Sequence, residues 1–178
     1  MREWVERVEH PRVFRSCTWH SWARMCSRVA SFISSGFGSG YAPKAPGTFG
    51  TAAAAVAWLC ISWVGIISSP FAQLLCAFLV VLIGMLAIRL SLGDSSSHDP
   101  QWIVIDEWAG LFVALIGTDP AQLWQVGLAV VLFRIFDITK VGPISAVERL
   151  PGAVGIMADD VVAGGFALIG MVGARYLV

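Results

Sequence analysis

Long apolar segments alternate with short polar joints along most of this chain. The segments cover residues 51–69, 71–92, 108–117, 122–136 and 161–178. A helix rises about 1.5 Å per residue and needs about 20 residues to cross a hydrocarbon core about 30 Å thick. The first two segments reach that length, whereas the third is too short unless it extends back to Trp102 as a tilted or half-buried helix. The pattern predicts an all-α integral membrane bundle with four to five apolar helices.

The composition agrees with a membrane location. Hydrophobic residues make up 57% of the 178 residues, charged residues only 13%, and the mean hydropathy is +0.74. Soluble domains carry about 25% charged residues, so this chain is expected to reside in a bilayer. The four cysteines show no CxxC spacing, and neither a disulfide framework nor a zinc site is indicated. No nucleic-acid partner is expected.

Basic charge is concentrated at the N-terminus. Residues 1–28 hold six arginines and three glutamates, although the whole chain has a formal net charge of zero. Because Lys and Arg collect on the cytoplasmic side of membrane segments, this start predicts a cytoplasmic N-terminus. The chain is expected to divide into a basic extension, residues 1–35, and a membrane domain, residues 36–178. The extension is either interfacial or poorly ordered.

Five of the twelve carboxylates stand at the edges of apolar segments. They form three groups along the chain: Asp106 with Glu107, Asp137 alone, and Asp159 with Asp160. Carboxylates at a membrane edge are costly and usually functional. If the helices alternate from a cytoplasmic N-terminus, the loops 36–50, 93–107 and 137–160 all face the cytoplasm. The three groups are therefore expected to form one site with catalytic loops on the cytoplasmic side.

A divalent cation would explain this placement. Carboxylate oxygens suit Mg²⁺, which also keeps waters and binds substrate phosphate. Two like charges about 4 Å apart repel by roughly 4 kcal/mol at an effective dielectric of about 20, so clustered carboxylates need cations or large pKa rises. All five are therefore candidate metal ligands and catalytic residues. The alternative is that they cap helix N-termini, which suits the two pairs but not Asp137, since that residue follows its segment.

Basic and glycine-rich positions are candidates for binding phosphate. Lys140 follows Asp137 by three residues and shares its helix face, which makes it a candidate catalytic cation. Arg134 either binds the anion as well or extends to the membrane interface. The glycine-rich loop 36–50 offers backbone N–H groups and polar side chains: Gly38, Ser39, Gly40, Lys44 and Thr48. His98 with Asp99 is a weaker candidate.

The chain lacks the sequence patterns of phosphatases that form a covalent intermediate. No cysteine begins a Cys-x5-Arg loop, no Asp-x-Asp pair occurs, and no Lys-x6-Arg-Pro run suggests a histidine nucleophile. Water activated by a metal ion is therefore the expected nucleophile.

Four motifs resemble one known family. They are GFGSG at 36–40 with APGT at 45–48, IDEWAG at 105–110, FRIFDITK at 133–140, and GIMADDVVAG at 155–164. In this order they resemble the phosphatidylglycerophosphatase A family, from about Gly36 to the C-terminus. Val141 replaces a proline that the family often has after the lysine, and the run before Gly155 is less rich in glycine.

The resemblance implies an activity and its site. A member of this family hydrolyses phosphatidylglycerophosphate to phosphatidylglycerol, requires Mg²⁺, and is a multi-pass protein of the bacterial inner membrane. Its partners are then the phospholipid substrate and the bilayer. Its acidic motifs fall on the five carboxylates named above, together with Lys140, Thr48 and, less firmly, Asp99 and Arg134.

Two other functions compete with this interpretation. A cation transporter or channel subunit would use clustered acids, but nearer the middle of its segments than at their ends. A small membrane assembly protein would use the acids only as helix caps. Release of phosphate from a phosphorylated lipid distinguishes the enzyme from both.

Overall fold

The computed structural model describes residues 16–92, 100–140, 142 and 144–177, and this part of the chain contains helices and no strand. The helices are α1 (Ser16–Ser34), α2 (Pro46–Trp63), α3 (Pro70–Leu92), α4 (Ile105–Ala114), α5 (Leu123–Thr139), α6 (Ile144–Val147) and α7 (Ala153–Leu177), with a short 3-10 turn at Ser39–Tyr41. The predicted all-α class is confirmed. The candidates His98 and Asp99 lie outside the described residues, as does Val141.

The long helices after the glycine-rich loop alternate in direction. Helices α2, α4 and α7 begin at the end of the bundle where α5 ends. Residues from all four helices line one pocket at this end. Helix α3 also ends on this side. Its Ser91 hydroxyl is hydrogen-bonded to that of Ser34, and the Ser34 carbonyl accepts from the N–H of Val104, directly before α4.

Hydrogen bonds around Thr118 connect the helices at the end of the bundle opposite to the pocket. Thr118, in the turn between α4 and α5, accepts a bond at its carbonyl from Gln73 Nε2 at 3.0 Å. Its hydroxyl accepts a bond from Arg175 Nη2 at 2.8 Å. These contacts tie the start of α3 to the end of α7. Since buried polar groups are costly unless paired, they also fix the order of the helices at this end.

Helix α4 is the central element. Its ten residues span about 15 Å, and its apolar side chains other than Val113, including Leu111 and Phe112, are buried. A Cβ on Gly164 would collide with the Gly110 carbonyl, and one on Gly110 would collide with the Asp160 carbonyl. These two glycines therefore allow the backbones of α4 and α7 to touch. This contact brings the acidic start of α4 close to the acidic part of α7.

Helix α7 begins eight residues earlier than the apolar pattern predicted. It starts at Ala153, after Gly152 in a left-handed conformation with φ +65°. Asp159 and Asp160 therefore lie in its second turn, and the first turn holds no acid. A cap accepts bonds from the exposed N–H groups of the first turn. The capping explanation is thus wrong for this pair.

The other acids also lie within helices. Helix α5 continues through Asp137 to Thr139, and Lys140 ends it with φ +45°. Asp106 and Glu107 occupy the first turn of α4, as the extended third segment predicted, but the N-cap is Val104 and no side chain caps the helix.

Two helices in the described part of the chain, α3 and α7, are long and apolar enough to cross a membrane. Four or five such helices are not found there, because α2, α4 and α5 are not among the helices that meet this condition. The outward face of α3 exposes large apolar side chains over its whole length: Phe71, Leu74, Leu75, Phe78, Leu79, Leu82, Ile83, Leu86 and Leu90. A continuous apolar face of this kind is typical of a surface that meets lipid or a partner.

Helix α1 occupies much of the predicted N-terminal extension and packs along α3. Their contact forms an apolar groove of about 250 Å³, which includes Val29 and Ile33 from α1 and Leu86 from α3. Residues 1–15 lie outside the described part, and the division at residue 35 stays a prediction.

Candidate active site

The five acidic residues line one pocket. Its volume is about 410 Å³, and it opens at the end of the bundle where α2, α4 and α7 begin. The lining residues are Ala45, Pro46, Gly47, Gln101, Ile103, Asp106, Glu107, Asp137, Lys140, Asp159 and Asp160. The structure thus brings together three acidic groups that are separated by as many as 54 positions in the sequence.

Three of the acids form a group that suits a divalent cation. One carboxylate oxygen each from Asp106, Glu107 and Asp160 lies within 4.8 Å of the other two. Asp106 and Asp160 are only 7% and 4% exposed. Glu107 Oε2 is buried and has no hydrogen-bond partner among the described residues. A buried carboxylate oxygen is costly unless it has a partner, and a divalent cation that prefers oxygen ligands would be such a partner. The group of three carboxylates therefore fits a cation of this kind.

Glu107 is strongly affected by this environment. Burial raises the pKa of its carboxyl group to about 7, and the negative charge of Asp137 adds to the rise. Bonds within α4 and the nearby Arg134 act in the opposite direction. Without a cation, this carboxyl therefore holds a proton more readily than a solvated glutamate does.

Asp137 lies beside the three-carboxylate group and forms an ion pair with an arginine side chain. Its Oδ2 accepts a hydrogen bond from Arg134 Nη1 at 2.6 Å, one turn earlier in α5. Arg134 also lies near Glu107, since a Cβ on Gly47 would be 3.4 Å from Arg134 Nη1 and would overlap Glu107 Oε1. Asp137 lies outside the group of three, and its role as a metal ligand stays a prediction.

Lys140 is held between two carboxylates. Its Nζ donates to Glu148 Oε1 at 2.5 Å and to Asp159 Oδ2 at 3.1 Å. Partial burial would lower the pKa of Lys140, but these two bonds outweigh burial and raise the pKa, so the side chain is a permanent cation. Asp159 is thus paired with Lys140, and its role as a metal ligand also stays a prediction.

The start of α2 lines one side of the pocket. Pro46 is the first residue of this helix, and Ala45 precedes it in a left-handed conformation with φ +49°. A Cβ on Gly47 would overlap the carboxylate of Glu107. Glycine at this position therefore lets the helix N-terminus approach the acidic group closely, and the positive end of the helix dipole suits a bound anion.

The other residues predicted to bind phosphate lie outside the pocket lining. In the turn after α1, Gly38 N–H donates to Ser35 Oγ at 3.2 Å, and Gly40 N–H donates to the Ser35 carbonyl at 2.9 Å. Ser39 Oγ donates to the Gly36 carbonyl at 2.9 Å. A Cβ on Gly40 would collide with the Trp102 carbonyl, so this turn packs against the segment that leads into α4.

Lys44 and Thr48 are exposed next to the start of α2. Neither lines the pocket, and the phosphate-binding roles of both, like those of the glycine turn, stay predictions.

Ala45, Pro46 and Ile103, which line the pocket, were not among the predicted site residues, and neither were three others. Gly47 and Gln101 line the pocket, and Glu148 binds Lys140. For Gly47 a signal was present, because proline is favoured at the first position of a helix and Pro46 immediately precedes it. Glu148 is eight positions from Lys140 on a different element, and no local pattern connects the two.

A model of the phosphatidylglycerophosphatase A family matches residues 32–175, which is most of the chain. The chain belongs to the phosphatidylglycerophosphatase A family. The resemblance of the four motifs is thereby confirmed.

Relatives in three bacteria have similar sequences. A protein of Bacteroides thetaiotaomicron, provisionally named a phosphatidylinositol-3-phosphatase, is 37% identical over 82% of this chain and 93% of its own. The phosphatidylglycerophosphatase A of Escherichia coli is 38% identical over 72% of this chain and 73% of its own. The enzyme of the same name from Haemophilus influenzae is 37% identical over 79% of this chain and 85% of its own. No solved structure matches the chain.

Proposed function

We propose that this protein is a phosphatase of the membrane that hydrolyses phosphatidylglycerophosphate to phosphatidylglycerol and phosphate. The observation that carries the proposal is the group formed by Asp106, Glu107 and Asp160 beside Lys140, in a chain of the phosphatidylglycerophosphatase A family. The reaction forms a bond between a water oxygen and phosphorus while the ester P–O bond breaks. The headgroup hydroxyl leaves with a proton.

Each side of the pocket has a separate role in this proposal. Asp106, Glu107 and Asp160 hold a divalent cation, which we assign as Mg²⁺ because three carboxylates with room for substrate oxygens suit this ion. When bound, the ion neutralises negative charge on the phosphate and makes water a better nucleophile. Lys140 and the N-terminus of α2 bind phosphate oxygens, and their positive charge favours the transition state over the ground state.

The pocket volume and its position suit a lipid headgroup. The pocket opens at one end of the helices, whereas the apolar side chains of α3 extend away from that end. A lipid with its acyl chains beside α3 and α7 would place its phosphate near the level of the pocket. The five acids of the pocket all lie at this end of the bundle and none of the five lies near its middle, which favours hydrolysis over the alternative of cation transport.

We further propose that the chain crosses the bacterial inner membrane several times, with the pocket on the cytoplasmic side. The support is the basic N-terminal region together with the alternating helices. Lys and Arg in short flanking segments favour the cytoplasmic side.

This orientation predicts which positions an impermeant thiol reagent reaches from outside the membrane. In a background with the native cysteines replaced, Ser68→Cys before α3 should be labelled on spheroplasts, whereas Ser145→Cys in α6 should be labelled only after lysis. Both positions are exposed, and they lie on opposite sides of the bundle. Labelling of Ser145→Cys on intact spheroplasts, with Ser68→Cys protected, would reverse the orientation.

The activity is tested with the purified full-length protein in detergent micelles. We expect release of inorganic phosphate from phosphatidylglycerophosphate with Mg²⁺, and none with excess EDTA. Phosphatidylinositol 3-phosphate is assayed in parallel, because one relative is named for that substrate. A higher kcat/KM for the inositol lipid would overturn the assigned substrate, and phosphate release that persists in EDTA would overturn the metal-dependent mechanism.

A further inference from the structure

Glu148 does not line the pocket, but it binds the lysine that does. Lys140 Nζ donates to Glu148 at 2.5 Å and to Asp159 at 3.1 Å, and only Asp159 of these two carboxylates lines the pocket. An ammonium group has three N–H donors. Two of them are therefore engaged by carboxylates, and one remains for another acceptor.

We infer that Glu148 is a positioning residue: together with Asp159 it fixes the ammonium of Lys140 so that the third donor meets the substrate phosphate. The inference rests on the proposed function, in which Lys140 binds phosphate. Catalysis requires charged groups to be in place before the transition state forms, because reorganising them during the reaction consumes the energy they supply. A lysine on a flexible four-carbon chain needs such restraint more than a rigid arginine does.

The backbone holds Glu148 at the correct distance. Its N–H donates to the Ile144 carbonyl at 3.2 Å, which completes the short helix α6. The following chain packs against the first turn of α7 at Gly155, where a Cβ would collide with the Leu150 carbonyl and lie 3.2 Å from the Glu148 carbonyl. Gly155 is one turn before Asp159. The two carboxylates that bind Lys140 are therefore mounted on one packed unit.

The pair between Lys140 and Glu148 is expected to contribute little to the stability of the fold. Glu148 has a side chain that is 51% exposed, and that of Lys140 is 34% exposed. Ion pairs of such exposure add little to stability because water screens them. A positioning role and a structural role thus predict different results: the first affects turnover, and the second affects unfolding.

The test compares variants of Glu148 in the purified full-length protein with phosphatidylglycerophosphate and Mg²⁺. Glu148→Ala should lower kcat by about 10–100-fold, as for other residues that orient a catalytic group, with a smaller change in KM and an unchanged unfolding midpoint. Glu148→Gln keeps an acceptor oxygen and should lose less. Arg149→Gln is the matched control, since this exposed neighbour is outside the pocket, and it should keep wild-type turnover.

Two further variants show whether Glu148 acts through Lys140. In a Lys140→Met background, Glu148→Ala should cause no additional loss, because the group it positions is gone. Gly155→Ala should lower kcat in the same way as Glu148→Ala, since it displaces the 148–150 segment from α7. Wild-type kcat in Glu148→Ala, or an equal loss in both backgrounds, would overturn the inference. Phosphate release by the unsubstituted protein tests the proposed function separately.

Discussion

Asp160→Asn is expected to reduce phosphate release by about 10²–10³-fold or more, because it removes a charge that is proposed to hold the cation on which transition-state stabilisation would depend. Asp160 is the most buried of the five acids, at 4% exposure, and it lies in the second turn of α7 next to Asp106 and Glu107. The Mg²⁺ concentration needed for half-maximal activity should rise in parallel, which an assay of phosphate release against Mg²⁺ measures.

The fold is expected to survive this substitution. Asparagine has the same shape as aspartate, and its neutrality removes repulsion from two neighbouring carboxylates. The unfolding midpoint in detergent without Mg²⁺ should therefore be equal to or higher than that of the wild type. Asp119→Asn is the matched control, because Asp119 is exposed at the opposite end of the bundle and should leave both activity and Mg²⁺ dependence unchanged. Normal turnover by Asp160→Asn would refute the three-carboxylate site.

Lys140→Met is expected to lower kcat by about 10²–10³-fold, as when one fixed donor to developing negative charge is removed. Methionine keeps most of the side-chain length but donates no hydrogen bond and carries no charge. The effect on KM should be smaller, since the lysine is proposed to favour the transition state. Steady-state kinetics on phosphatidylglycerophosphate, with unfolding as a control for the fold, separates the two parameters.

A second lysine provides a direct comparison. Lys44 is the only other lysine of the chain, and it is exposed outside the pocket lining. Lys44→Met should therefore cost less activity than Lys140→Met. Equal losses would mean that the glycine-rich loop closes over the phosphate. Near-normal turnover by Lys140→Met would make this residue part of an ordinary ion pair with Asp159 and Glu148.

The general class of the protein could be predicted from composition and pattern. Apolar segments separated by short joints can form only helices in a bilayer, since every backbone polar group must be paired within the segment. Carboxylates next to such segments are costly, which made them candidates for a functional site. The four motifs then indicated the family, which the family model and the relatives confirm.

The predicted helix boundaries were less accurate than the helical class. The prediction ended each apolar segment at its charged residues, whereas two helices continue through them. Asp137 lies within α5 and Asp159 lies within α7. Each carboxylate is paired there with a positively charged side chain: Asp137 with Arg134, one turn earlier in α5, and Asp159 with Lys140, at the end of α5. The apolar pattern along α7 contains no information about a partner on another helix.

The sequence by itself therefore determined the helical class and the family, and it singled out the five acids and the lysine that line the pocket, because these depend on composition and on short motifs. The tertiary structure decided which of those residues form the three-carboxylate group and which form ion pairs. The contact of α4 with α7 at Gly110 and Gly164 assembles the group of Asp106, Glu107 and Asp160. The packing of the 148–150 segment on α7 brings Glu148 to Lys140. Both depend on contacts between different elements of the structure, which only the packing of those elements fixes.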